Sequence, residues 1–166
     1  MTKETDEIPS NLEELKKEYK SLQSQFSLPS FTELNQQFDI EEISTETQFL
    51  LRKIRRTITE KLNGYLRFIE LLLNPSSAPM FFFNLVKKID SNDKETLSKL
   101  YETLGNLETK AIPLDIDYNE KQEAEYIINS QQTFNNEIKP QLLEISKKLM
   151  NGKSNNVKQN NGSYFG

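Results

Sequence analysis

The sequence predicts an all-α protein: a single bundle-like domain of five to seven helices, organised around one long central helix. Apolar residues recur at helical spacing along almost the whole chain, and no segment forms a credible β-sheet. Capping residues and prolines divide this pattern into separate helices. The length of 166 residues suits one ordinary domain. We expect the helical domain to cover residues 10–150, between a flexible N-terminus at 1–9 and a disordered tail at 151–166, which is rich in Asn and Gly.

Two helices are predicted before the long one. Ser10 and Glu13 have the spacing of a capping box, and Pro29 ends the helix that they begin. The apolar positions of this first helix are Leu12, Leu15, Tyr19, Leu22 and Phe26. These two heptads either pack on the chain's own long helix or form half of an intermolecular coiled coil. A short second helix starts near Ser30 and carries Phe31, Leu34 and Phe38.

The longest helix is predicted from Thr45 to Leu73. Thr45 and Gln48 are spaced as a capping box, and Asn74 followed by Pro75 is a stop signal. Its core stripe consists of Leu51, Ile54, Ile58, Leu62, Tyr65, Ile69 and Leu72. This stripe makes it the spine of the domain.

Two helices follow the stop signal. The fourth is expected from about Pro79 to Ile89. The fifth begins with Asn92 and Glu95 as its capping pair, and Pro113 is expected to close it. Its apolar stripe consists of Leu97, Leu100, Tyr101, Leu104 and Leu107.

The end of the domain is predicted as an extended connector and further helix. Residues 114–118 alternate between apolar and acidic side chains, which is typical of an extended segment. Asp117 and Glu120 are expected to cap a sixth helix. Pro140 either kinks that helix or begins a separate last one.

Missing residue types exclude several classes of enzyme. The chain has no cysteine and no histidine, so it has no thiolate nucleophile, no His-based triad and no zinc site of the usual kind. Its five glycines cannot form a P-loop or a dinucleotide-binding turn. We therefore predict that the protein is not an enzyme and that it uses no cofactor and no small-molecule substrate.

One acidic segment imitates a calcium loop. Asp115, Asp117 and Asn119 match the first three ligand positions of an EF-hand. The glycine that this loop needs is replaced by Glu120, and the bidentate glutamate by Tyr126. We interpret the segment as a connector with a helix cap, and we predict no metal site.

The chain carries no signal for a membrane. No stretch approaches the roughly 18 apolar residues of a membrane span, and the first ten residues lack the apolar region of a secretory signal. We expect a cytoplasmic protein without a membrane partner. Tyr164 and Phe165 either form a short partner-binding motif or belong to an unstructured terminus.

The strongest charge feature is a basic run at the start of the long helix. Segment 51–70 holds six basic and two acidic residues. On the helical wheel the side chains opposite the apolar stripe, which we call the basic ridge, are Arg52, Arg56, Asn63 and Arg67. The ridge could follow phosphates or dock on an acidic partner. Alternatively it is a solvated face, or it pairs with the acidic segments 21–50 or 113–139 of the same chain.

A second candidate is the run of three phenylalanines at residues 81–83. Successive helical residues lie about 100° apart, so the three rings cannot share one buried face. Phe82 falls on the core stripe, whereas Phe81 and Phe83 flank it and Met80 lies almost at the back. We predict that Met80, Phe81 and Phe83 form a partner-binding patch if neighbouring helices leave them exposed.

Residues 49–75, together with 117–127, resemble uncharacterised small helical proteins of host-dependent archaea. The resemblance implies no activity and no site residue. The function that we expect is therefore a non-catalytic interaction or scaffold module that binds a protein partner or itself through an apolar patch. The alternative is an accessory factor for RNA or a ribonucleoprotein that docks through the basic ridge.

Overall fold

The computed structural model describes residues 11–43 and 48–151. Seven α-helices lie in this part of the chain, and it contains no β-strand. In chain order they are α1 (Asn11–Phe26), α2 (Phe31–Phe38), α3 (Leu50–Leu73), α4 (Met80–Val86), α5 (Ser91–Ile116), α6 (Glu120–Thr133) and α7 (Lys139–Asn151). Short 3₁₀ turns follow α2 and α3, and a π-helical segment (Phe134–Ile138) joins α6 to α7. The predicted all-α fold is confirmed.

Helix α3 is the spine of the bundle, as predicted, but among the described residues it is not the longest helix, since α5 has 26 residues and α3 has 24. It packs along α5 and α6 and also contacts α2 and α4. Its stripe from Leu51 to Leu72 is buried except for Tyr65, which is partly exposed. One continuous core contains buried side chains from all seven helices and is centred on this stripe. Because α1 contributes Leu15 and Tyr19 to that core, its heptad face packs within the chain.

Several predicted helix starts lie elsewhere in the structure. Helix α3 begins at Leu50, after Phe49 with a left-handed φ of 62°, and not at Thr45. Thr45 itself, like Ser10, lies outside the described residues, so neither of their proposed capping boxes is described. Helix α5 is capped by Asp90 and Asp93, two residues before the predicted pair.

Pro113 does not end α5, and the predicted extended connector at 114–118 is wrong for its first half. The helix continues to Ile116, because the chain after Pro113 still buries Leu114 beside the buried Ala111. This burial offsets the cost of about 3 kcal/mol that a proline imposes within a helix. The cap of α6 is Asn119, whose side chain accepts from Gln122, and not Asp117.

The last two helices form one continuous run with a π-helical joint. At this joint the N–H of Lys139 donates to the carbonyl of Phe134, five residues earlier. The wider turn precedes Pro140, whose ring would clash with the carbonyl four residues before it in a regular α-helix. Asn151, the first residue of the predicted tail, is the last residue of α7. The rest of the tail, with the Tyr164–Phe165 motif, lies outside the described residues, as does the predicted N-terminus at 1–9.

Candidate functional site

Helix α4 is short, and Phe82 anchors it. This side chain is only 6% exposed, and its ring lies 6.0 Å from the ring of Phe68 on α3. Pro79 supplies the first carbonyl, which accepts from the N–H of Phe82. The predicted helix from Pro79 to Ile89 is therefore present in shorter form, and Phe82 takes the core position expected of it.

The other large side chains of the first turn are exposed. Met80 is 87% exposed, Phe81 60% and Phe83 45%. We call these three residues the α4 patch. At about 200 Å² for each large side chain, they expose on the order of 400 Å² of apolar surface. Patches of roughly this size are among the largest on monomeric proteins and are often functional.

The far end of α4 is tied to α7. The ammonium group of Lys88 donates to the carbonyl of Leu149 at 2.5 Å. Leu149 lies in the last turn of α7, where carbonyls have no partner within the helix and attract cations. Helix α4 is therefore held at Phe82 and just after its C-terminal end, while the other large side chains of its first turn face solvent.

The basic ridge has a different environment. Arg52 donates to Glu123 of α6 at 3.3 Å and to the carbonyl of Leu114 at 2.8 Å, and its guanidinium group lies 4.8 Å from the ring centre of Tyr118. Leu114 is in the last turn of α5, so Arg52 satisfies an otherwise unpaired helix carbonyl. The sequence-based expectation that Arg52 points away from the bundle is wrong, because its side chain is four-fifths buried.

Arg56 is paired as well. Its guanidinium group contacts the carboxylate of Asp115 at 2.9–3.0 Å, although its side chain is half exposed. The interpretation that acids of segment 113–139 pair with the ridge is therefore confirmed for Arg52 and Arg56. Asp115 lies in the last turn of α5 and is occupied by this pairing.

These contacts belong to one ion-pair cluster, which consists of Arg52, Arg55, Arg56, Asp115 and Glu123. Its centre is Arg55, a residue that the sequence patterns did not single out. Arg55 is 1% exposed, donates to Glu123 at 2.8 Å and donates to Asp115 at 2.7 Å. The sequence does contain a signal for the burial of Arg55, because this residue lies four residues after Leu51 and three before Ile58, at the edge of the core stripe. Glu123 is 0% exposed and lies in the first turn of α6, where the helix dipole favours a carboxylate.

The contacts in this cluster favour the charged forms of Arg55 and Asp115. Burial alone would lower the pKa of Arg55, but its hydrogen bonds to Asp115 and Glu123 outweigh burial, so the pKa is raised. The hydrogen bond from Arg55, with a second from Arg56, lowers the pKa of Asp115. The cluster is a network in which each buried charge has an opposite charge beside it.

The remaining ridge residues are separated from the cluster. The side-chain amide of Asn63 donates to Glu108 of α5 at 3.3 Å. Arg67 is exposed, and no hydrogen bond or ion pair with a residue in 11–43 or 48–151 holds it. Within the described residues, the ridge therefore presents one unpaired guanidinium group and not a continuous basic surface.

The described residues contain neither a cluster of metal-binding side chains nor a membrane-spanning helix. No group of three or more acidic side chains in residues 11–43 and 48–151 is arranged to hold a metal ion. No helix in the same ranges is long and apolar enough to span a membrane.

Comparisons of the chain with protein families, with curated proteins and with solved structures gave no match.

Proposed function

We propose that the protein is a non-catalytic interaction module that binds a protein partner, or a second copy of itself, through the α4 patch. One observation carries the proposal: three large apolar side chains are exposed together on a helix that Phe82 anchors. Burying such a patch against a partner removes apolar area from water at little conformational cost, since the helix is already formed. We place this activity in the cytoplasm, where the absence of cysteine is unremarkable.

The first test is self-association. Light scattering on the full chain should give a mass near twice 19.4 kDa at high concentration if the partner is a second copy. The double variant Phe81→Ser, Phe83→Ser should then return the protein to a monomer. The matched control is Ile112→Ser, because Ile112 is 55% exposed on another helix and should leave the mass unchanged.

If the wild-type chain is a monomer, affinity capture from the source cells identifies a different partner. The capture is performed with and without nuclease, using the wild-type chain, the double variant and the Ile112→Ser control. A protein retained by wild type and control after nuclease, but lost by the double variant, supports the proposal. A monomer whose retained proteins are the same for all three chains would refute it.

The alternative function is docking on RNA or a ribonucleoprotein through the basic ridge. A single observation favours it, namely the unpaired Arg67, whereas Arg52 and Arg56 already have acidic partners. RNA binding predicts retention of mixed cellular RNA on a filter at low salt, with a steep loss as salt rises. Arg67→Glu should weaken that retention. Absence of retention at low salt would remove the alternative.

A further inference from the structure

A groove separate from the α4 patch lies between α3 and α7. Its volume is about 520 Å³. The side chains that line it from α3 are Lys61, Tyr65 and Phe68, and those from α7 are Lys139, Leu142, Leu143 and Ser146. Gln36 and Gln37 of α2, together with Phe134 of the π-helical segment, complete the lining.

The spacing of the lining residues along α3 and α7 indicates which kind of ligand fits the groove. On α3 the lining residues recur at i, i+4 and i+7, and on α7 at i, i+3, i+4 and i+7. Each row therefore follows one face of its helix for about 10.5 Å, or two turns. Two rows of this length on the walls of one groove form a seat for a third helix, which is the helix-in-groove mode of peptide recognition.

The surface of the groove is mainly apolar. The rings of Tyr65 and Phe134 are stacked with centroids 6.1 Å apart, and Phe134 packs in turn on Phe38 in the core. Leu143 is 52% exposed at the edge of the groove. These aromatic and aliphatic walls match the apolar face of an amphipathic helix.

The charges of the lining residues indicate the sign of the charge that a partner should carry. Among the described residues, two lysines line the groove and no carboxylate does. Lys61 is held by Asp39, whereas Lys139 is exposed and has no hydrogen bond or ion pair with any residue in the described part of the chain. A carboxylate on the occupant would therefore meet an unpaired ammonium group at the α7 side of the groove.

We propose that this groove binds a two-turn amphipathic helix of a protein partner, with large apolar residues at i, i+4 and i+7 and an acidic residue that pairs with Lys139. The inference goes beyond the α4 patch, because it assigns a second docking surface and the chemistry of its ligand. Phe68 lies in both neighbourhoods, since it also contacts Phe82. It is therefore left unchanged in the test.

The test uses fluorescein-labelled synthetic helical peptides and the full chain. The first peptide has Leu and Phe at the three apolar positions and Glu on the flanks. The second has Lys in place of every Glu, and the third has the apolar residues scrambled. Fluorescence anisotropy should show binding of the first peptide, weaker binding of the second and none of the third.

Three variants locate the binding. Leu143→Asp should weaken the binding of the first, acidic peptide about tenfold or more, because it places a charge on the apolar wall. Lys139→Glu should weaken it about threefold, as expected for a partly exposed ion pair, and should abolish the preference over the second peptide. Ile112→Asp is the control for an added charge on an exposed apolar residue and should bind normally, with circular dichroism used to verify folding of each variant.

The two proposals can fail independently. The double variant Phe81→Ser, Phe83→Ser should leave peptide binding unchanged. Evidence against binding at the α4 patch would therefore not count against the groove. Equal binding of the acidic and basic peptides, no binding of the acidic peptide, or an unaffected Leu143→Asp variant would overturn the proposal.

Peptide binding at least tenfold tighter in the double variant Tyr164→Ser, Phe165→Ser would assign the groove to the chain's own end instead. A wild-type dimer that Leu143→Asp dissociates would assign it to a second copy.

Discussion

The first turns of α3 and the first turn of α4 contain the two most conspicuous patterns of the sequence, a basic run and a run of phenylalanines. In the folded chain the basic run is largely neutralised, because Arg52, Arg55 and Arg56 meet carboxylates of α5 and α6. In the phenylalanine run Phe82 is buried, but Phe81 and Phe83 remain 60% and 45% exposed. The comparison teaches that a charge run can be compensated within the chain, whereas an apolar run on a short helix needs neighbours on several sides.

The largest effect is expected from breaking the ion-pair cluster at its centre. Arg55→Met leaves Glu123 buried with only Arg52 beside it, and we expect a loss of about 4 kcal/mol in the free energy of unfolding. Urea unfolding followed by circular dichroism measures this loss. The matched control is Arg67→Met on the same helix, which should change stability by less than about 0.5 kcal/mol. Similar losses for both variants would show that the cluster is no more than surface charge.

The next effect separates the anchor of α4 from its exposed patch. Phe82→Ala removes a ring that is 94% buried, and we expect a loss of about 3 kcal/mol. Phe81→Ala should cost less than about 1 kcal/mol, because that side chain is mostly exposed. Thermal and urea unfolding of both variants give the two values. Equal losses would mean that Phe81 is part of the core and would weaken the case for the patch.

How far the sequence predicts this molecule depends on the kind of feature. Helical spacing identified the stripe of α3 and placed Phe82 in the core, because the period of a helix is a local property. Pro113 was misjudged because burial of Leu114 against the rest of the bundle outweighs a local preference. The cap of α5 was misplaced because Asp90 and Asn92 are both suitable residues, and only the fold selects between them.

The candidate sites depend even more on tertiary contacts. The helical wheel could name Met80, Phe81 and Phe83, but it could not tell which sides of α4 the other helices cover. Arg55 was missed because its burial becomes favourable only when Asp115 and Glu123, about 60 residues later in the chain, lie beside it. A groove made from α3 and α7 has no signature in either helix alone.

A third prediction tests the charge of the cluster through pH. The hydrogen bond from Arg55 lowers the pKa of Asp115 in the folded state, so its stabilisation is present above the unfolded pKa of about 3.9 and is lost as the pH falls through the folded value. Asp115→Asn should cost about 1 kcal/mol at pH 7, a value reduced because the side chain is 45% exposed.

The pH series supplies the check on that prediction. Urea unfolding of wild type and Asp115→Asn at pH 7, 5 and 3 should give a difference that is constant between pH 7 and 5 and smaller at pH 3. Asp117→Asn is the control, since that carboxylate forms no ion pair with the arginines of α3. A difference that stays constant down to pH 3 would mean that the Asp115 carboxylate does not stabilise the cluster.

The smallest effect concerns the segment of α3 that joins the two regions. Gly64 lies between the ion-pair cluster and the contact of α3 with α4, and an added Cβ would have no atom within 4 Å apart from the adjacent residues and the backbone of its own helix. Gly64→Ala should therefore stabilise the protein by about 1 kcal/mol, the gain in helix propensity at an exposed interior position. Urea unfolding measures the gain, with Gly105→Ala in α5 as the matched comparison, because that site is also open. A loss of stability at Gly64 alone would indicate that α3 bends there, and that the neutralised and exposed regions are not joined by one rigid helix.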